Sequence, residues 1–120
     1  FNKQITNEGL KNIPNIKYLH LTSNKNVTDE GLKYIPKIKH LSLDGNENIT
    51  DEGLKNIPNI RNLCLRYNKH ITNEGLKNIP NIQYLHLNCN KNIIKQDLKY
   101  KQNIVFCECI QINYHKVRLD

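Results

Sequence analysis

No stretch of this chain approaches the ~18 consecutive apolar residues that a bilayer span requires, which excludes a transmembrane helix. No signal segment opens it. Met is absent altogether, even from the first position, and so is Trp. The chain starts at Phe1, part-way through a recurring unit, and therefore reads as a fragment or a processed form that can have lost a targeting segment. Motifs that carry chemistry are missing too. There is no G-x-S-x-G, no phosphate-cradling glycine loop and no H-E-x-x-H, so an enzyme is not expected. Cys107 and Cys109 form a C-x-C without a second pair at ligand spacing, which is not a zinc signature. No cofactor and no metal are implied.

What the chain does have is a period. Asn2, Asn24, Asn46, Asn68 and Asn90 fall in one column, 22 residues apart. Gly9, Gly31, Gly53 and Gly75 fall in a second, and Pro14, Pro36, Pro58 and Pro80 in a third. A fixed period of this size means a solenoid, in which each unit buries its apolar face only against its neighbours. The chain holds 20 Asn, 16 Ile and 15 Lys in 120 residues, a skew towards AT-rich codons. Such bias can mark low complexity. The strict apolar periodicity argues against disorder here, because it supplies a core.

The unit from Ile38 to Pro58 shows how. Ile38, Leu41 and Leu43 predict a short strand with one face buried. Ile16/Leu19/Leu21, Ile60/Leu63/Leu65 and Ile82/Leu85/Leu87 repeat it. Successive copies should pair in parallel about 4.8 Å apart, with the rest of each unit as the crossover. Asn46 follows the strand, where a buried amide can satisfy backbone groups that a turning chain leaves unpaired. Thr50 stands at a helix N-cap with Asp51 and Glu52 in the first turn, as do Thr6, Thr28 and Thr72 in their units. Leu54 and Ile57 are spaced for the inner face of a short helix, which Pro58 ends. Glycine there costs about 1 kcal/mol relative to alanine, so its recurrence implies that a side chain would collide with the neighbouring coil.

The segment L-x-L-x-x-N-x-x-I-T-[DN]-E-G-L resembles a leucine-rich repeat. It is most similar to the cysteine-containing subclass of F-box substrate receptors, with Asn24, Asn46, Asn68 and Asn90 where that subclass usually has Cys. The unit is a few residues shorter than in that subclass. No F-box is present, so a ubiquitin-ligase role is not carried over. The residue bias resembles the repeat proteins of giant amoeba-infecting viruses or AT-rich protists. The resemblance implies an α/β horseshoe solenoid, with a parallel β-sheet on the concave face and short helices on the convex face.

Five repeats are expected over residues 1–112, followed by a capping tail at 113–120. In the fifth unit Thr becomes Ile94, Gly becomes Asp97 and Pro becomes Gln102. The register holds, and Cys107 and Cys109 take the inward leucine positions as small core residues. At the other end Ile5, Leu10, Ile13, Leu19 and Leu21 would present apolar edges, a surface for self-association.

The net charge is +7. Most of it reads as a self-paired ladder, because Glu8, Glu30, Glu52 and Glu74 precede Lys11, Lys33, Lys55 and Lys77 by three residues on the outer face. A basic column remains at Lys17, Lys39 and Arg61, which makes an anionic polymer a third-ranked reading and nucleic acid not an expected partner. Cys64 and Cys89 are offset by three columns and should not bond. Free thiols suggest a reducing, intracellular compartment: the cytoplasm, or a host's cytoplasm if the protein is viral. His20 and His86 lie three repeats apart, roughly 14 Å by strand spacing, too far to share a metal ion. The sequence therefore points to a non-catalytic protein-binding module. Its partner would contact Tyr18, His20, His40, Asp44, Arg66, Tyr84 and His86 on the concave face. Assembly through the solenoid ends, as a scaffold or virion component, is the alternative.

Overall fold

The computed structural model describes residues 4–87, 90, 92–94 and 98, with the backbone of a strand at 105–107. Four units follow one another. They are α1 (Asn7–Leu10) with β1 (Tyr18–His20), α2 (Asp29–Leu32) with β2 (His40–Ser42), α3 (Asp51–Leu54) with β3 (Asn62–Cys64), and α4 (Asn73–Leu76) with β4 (Tyr84–His86). With β5 (Val105–Cys107) the strands form one parallel sheet in chain order. Leu19, Leu41, Leu63 and Leu85 stand in register across it. A continuous apolar cluster runs from Leu10 to Leu98 between sheet and helices.

The spacing of three and then two among Ile38, Leu41 and Leu43 has a backbone counterpart. The N–H groups of Lys39 and His40 both donate to the Lys17 carbonyl, each at 2.9 Å. Those of Arg61 and Asn62 share the Lys39 carbonyl, and those of Gln83 and Tyr84 share that of Arg61. One carbonyl thus serves two N–H groups at each strand start, while the 22-residue register is kept from strand to strand. Ile38 and Leu41, three residues apart across this point, are both buried.

The helices are single turns. The sequence places the end of the third at Pro58, but α3 stops at Leu54. The N–H groups of Lys55, Asn56 and Ile57 then bond three residues back, to Glu52, Gly53 and Leu54. These are the tighter bonds of a 3₁₀ turn. Pro58 instead occupies the second position of the turn closed by Ile60 N–H on the Ile57 carbonyl, where its fixed φ fits.

Two side-chain ladders tie the units together. Asn46 Oδ1 accepts from the N–H groups of Asn48 and Ile49 at 2.9 Å, and its Nδ2 donates to the Asn24 carbonyl at 2.8 Å. Asn68 repeats this with His70, Ile71 and the Asn46 carbonyl. The second ladder runs through the helix starts. Asp29 accepts the Thr50 N–H on Oδ1 at 2.8 Å and the Thr50 hydroxyl on Oδ2 at 2.6 Å. Asp51 does the same for Thr72. Because the Thr50 hydroxyl proton goes to Asp29, a lone pair is left to cap Glu52 N–H. Asn7, an amide, donates to Thr28 Oγ1 instead, and Thr28 makes no side-chain cap bond.

This second ladder explains the glycine column. A Cβ built on Gly53 would overlap Asp29 Oδ1 and lie 3.0 Å from its Cγ. Gly31 meets Asn7 and Gly75 meets Asp51 in the same way. At Gly9 the nearest atom would be Thr6 Oγ1 at an ordinary 3.7 Å. Outside the ladders, Lys11, Lys33, Lys55 and Lys77 pair with Glu8, Glu30, Glu52 and Glu74 at 2.5–2.9 Å, as their spacing predicts.

Both ends correct the sequence reading. β5 pairs Tyr84 with Val105, Leu85 with Phe106 and His86 with Cys107. The step there is 21 residues, one short of the period, so Cys107 stands in the row of His86 and not opposite Leu85. Phe106 likewise leaves the row of Tyr84 for the leucine register. The ladders loosen at the same place. Asn90 donates to the Leu65 carbonyl instead of that of Asn68. Ile94 has no hydroxyl, so Asn73 accepts its N–H and donates to its carbonyl. At the first unit, Leu10, Leu19 and Leu21 are buried, and Ile5 is half-buried. Of the five apolar edges expected there, Ile13 alone is exposed, at 39%. The capping tail, Cys89 and Cys109 lie outside the described residues.

Candidate recognition face

The strand face opposite the helices carries three rows of side chains. The first is Tyr18, His40, Asn62 and Tyr84, one per strand. Tyr18 lies flat on His40, ring centres 4.4 Å apart and planes 6° from parallel, and is 66% exposed. The imidazole covers one face of the phenol and leaves most of the ring exposed. Tyr84 is 44% exposed.

His20, Ser42, Cys64 and His86 make the second row. Ser42 is buried and bonds with Thr22 at 3.1 Å between hydroxyl oxygens. The Cys64 thiol is half-buried. Between the first two rows is an open depression of about 230 Å³, walled by Tyr18, His20, His40, Asn62, Cys64 and His86. It offers imidazole, amide, thiol and phenol groups, a polar lining with aromatic sides. His86 is held below its ordinary pKa, chiefly by burial and then by the Arg66 charge, with Asp44 pulling the other way. It is therefore neutral at pH 7 and can both donate and accept a hydrogen bond.

The third row contains a charge pair. Asp44 is only 6% exposed. Its Oδ1 accepts the Arg66 backbone N–H at 2.8 Å, and its Oδ2 accepts Nε at 2.8 Å and Nη2 at 2.6 Å. Sequence reasoning names both as contact residues. The structure separates their roles: Asp44 is buried support, and Arg66 is the exposed, oriented group. Tyr67, next along, is 48% exposed and sits at φ 60°, in the left-handed region. Ser23 and Gly45 take the same conformation in their units. Only Gly45 shows the usual residue for such a turn, which is why the column cannot be read from sequence.

Of the seven residues named from sequence, five line or edge one continuous surface: Tyr18, His20, His40, Tyr84 and His86. Arg66 borders it through His86, and Asp44 lies beneath. Among the described residues no group of three or more His, Cys, Asp or Glu side chains could hold a metal ion. No described helix is long and apolar enough to cross a membrane.

A single-turn helix, a parallel strand and an asparagine-anchored turn, stacked in one direction, define an open α/β solenoid. Residues 12–35 and 34–57, two consecutive units, match the family model described as leucine-rich repeat. With that match, the described units have the fold of a leucine-rich-repeat α/β solenoid. No curated protein matches the chain.

Proposed function

We propose that this solenoid is a non-catalytic module that binds a protein partner on its concave strand face. One contrast carries the reading. Two surfaces are exposed, the outer Glu–Lys pairs and the strand face. The outer pairs are exposed salt bridges, worth a few tenths of a kcal/mol each, and so little constrained by stability. Yet they are the same in all four units. The strand rows change at nearly every step, from Tyr18 to His40 to Asn62 to Tyr84. Drift alone would have varied both. Variation concentrated on one face fits selection for contacts there, and tyrosine, histidine and arginine are residues that anchor interfaces. Leucine-rich repeats as a class serve protein–protein interaction, which supports the reading.

Assembly through the solenoid ends is the second reading, and the burial of Leu10, Leu19 and Leu21 weighs against it. A pull-down from cell lysate separates the two, comparing the chain with His20→Ala/Tyr84→Ala. Arg66→Ala is a poor probe because it strands the buried Asp44 carboxylate. A protein retained by the unmodified chain and lost with the variant supports strand-face binding. Equal retention by both, or recovery of the chain alone, contradicts it.

A further inference from the structure

We propose that the partner engages this face through an acidic segment, bound along the row Lys17–Lys39–Arg61 beside the Tyr18–His40 stack. The inference rests on the interaction-module reading and names the chemistry of its partner. The residue before each strand adjoins the first outward row, and its carbonyl accepts two N–H groups of the next unit, which fixes its place beside that row. In three successive units that residue is cationic. Neighbouring members of the row sit one strand apart, about 4.8 Å. On the helical side every such lysine has its glutamate. Here none of the three cations takes part in an ion pair found among the described residues. Among the described residues, the strand-face carboxylate Asp44 is committed to Arg66.

Like charges directly opposite on adjacent strands repel, so the row is unfavourable on its own. Carboxylates from a partner relieve that repulsion and steer association. The exposed phenol of Tyr18 supplies an adjoining aromatic anchor. A polypeptide fits better than a nucleic acid for two reasons. The row ends at Gln83 after three cations, whereas nucleic-acid affinity is built from longer runs of phosphate contacts. Tyr18 and His40 also cover one another, leaving few ring faces for stacking bases.

Fluorescence anisotropy tests this with a labelled oligoglutamate peptide and a labelled oligouridylate. The chain is compared with Lys17→Ser/Lys39→Ser/Arg61→Ser, whose removal of repulsion leaves melting unchanged or raised. Oligoglutamate should bind, weaken by about tenfold or more in the triple variant, and weaken again as salt rises. Failure of oligoglutamate to bind, or equal binding by both chains, overturns the inference. Tighter binding of oligouridylate, lost in the triple variant, also overturns it and assigns the row to nucleic acid. If a protein is captured through His20 and Tyr84 while oligoglutamate is ignored, the acidic segment fails and the module reading stands. If oligoglutamate binds through the row and no partner is captured, the failure lies with the module reading.

Discussion

The turn side and the strand face of this solenoid hold their units together by different means. On the turn side, side chains cross from one repeat to the next. The Asn46 amide reaches the Asn24 carbonyl, and the Asp29 carboxylate reaches Thr50. On the strand face parallel backbone pairing does most of the crossing, and the Asp44–Arg66 pair and the Thr22–Ser42 bond add to it. Residues that carry inter-repeat bonds cannot change without loss. Residues that stand on a backbone-bonded sheet can. Apart from the Asp44–Arg66 pair, the strand face, like the outer Glu–Lys pairs, can therefore vary at little cost to folding, which suits it to recognition.

The comparison is easiest to break at the asparagine ladder. Asn46→Leu removes three hydrogen bonds, two of them buried, and takes that partner from the N–H groups of Asn48 and Ile49 and from the Asn24 carbonyl, a loss of about 3 kcal/mol or more. Thermal or urea unfolding would read it. A change below about 1 kcal/mol would mean that the ladder does not hold the units together. On the strand face, Tyr84→Ala should alter stability by less than about 0.5 kcal/mol.

The glycine column sharpens the contrast within one residue type. Gly53→Ala forces a methyl into the Asp29–Thr50 bridge and should destabilise by about 1–3 kcal/mol. Gly9→Ala, where the methyl meets only Thr6 Oγ1 at an ordinary 3.7 Å, should stabilise this chain by up to about 1 kcal/mol through helix propensity. Equal effects at the two sites would refute the bridge as the reason for the glycines.

The third test compares two charge pairs. Arg66→Ala leaves the buried Asp44 carboxylate with only a backbone N–H, at a cost of about 1–2 kcal/mol. Lys55→Ala breaks an exposed pair and should cost no more than about 0.5 kcal/mol. Asp44→Asn combined with Arg66→Ala should recover part of the first loss. If it does not, Asp44 is not the group that Arg66 serves.

The smallest effect is one of pH. Burial holds His86 below its ordinary pKa, so the folded state binds that proton less well than the unfolded chain. Its contribution is undiminished above the unfolded value near about 6.5, and stability is lost as pH falls from there through the lower folded value. His86→Gln should flatten part of that decline in urea midpoints measured across the window. Parallel declines in the two chains would contradict the assignment.

Much of this was legible in the sequence. The period, the buried leucines, the threonine caps and the Glu–Lys pairs follow from residue spacing, because each is a local or nearest-neighbour property. The asparagine column was legible as structural, though its reach to the preceding unit was not. The Asp29–Thr50 bridge was missed, because Asp29 reads as an ordinary first-turn acid until the units are stacked. Only then does the collision inferred at glycine gain a named partner. Asp44 looked like an outward recognition residue by strand alternation. Its burial follows from Arg66 folding over it, a contact between residues 22 positions apart. The one-residue shift at β5 was invisible for a related reason. The period still runs through residues 88–109 on paper, while the Thr and Gly that enforce it in space are replaced by Ile94 and Asp97.

The most direct test of strand-face recognition is nuclear magnetic resonance of the labelled chain with its captured partner, following amide and side-chain shifts on titration. The account predicts shifts clustered at Tyr18, His20, His40, Tyr84 and His86, with the Glu–Lys pairs of the helical side unmoved. Shifts confined to the helical side, or to the edges of the first and last units, would contradict it.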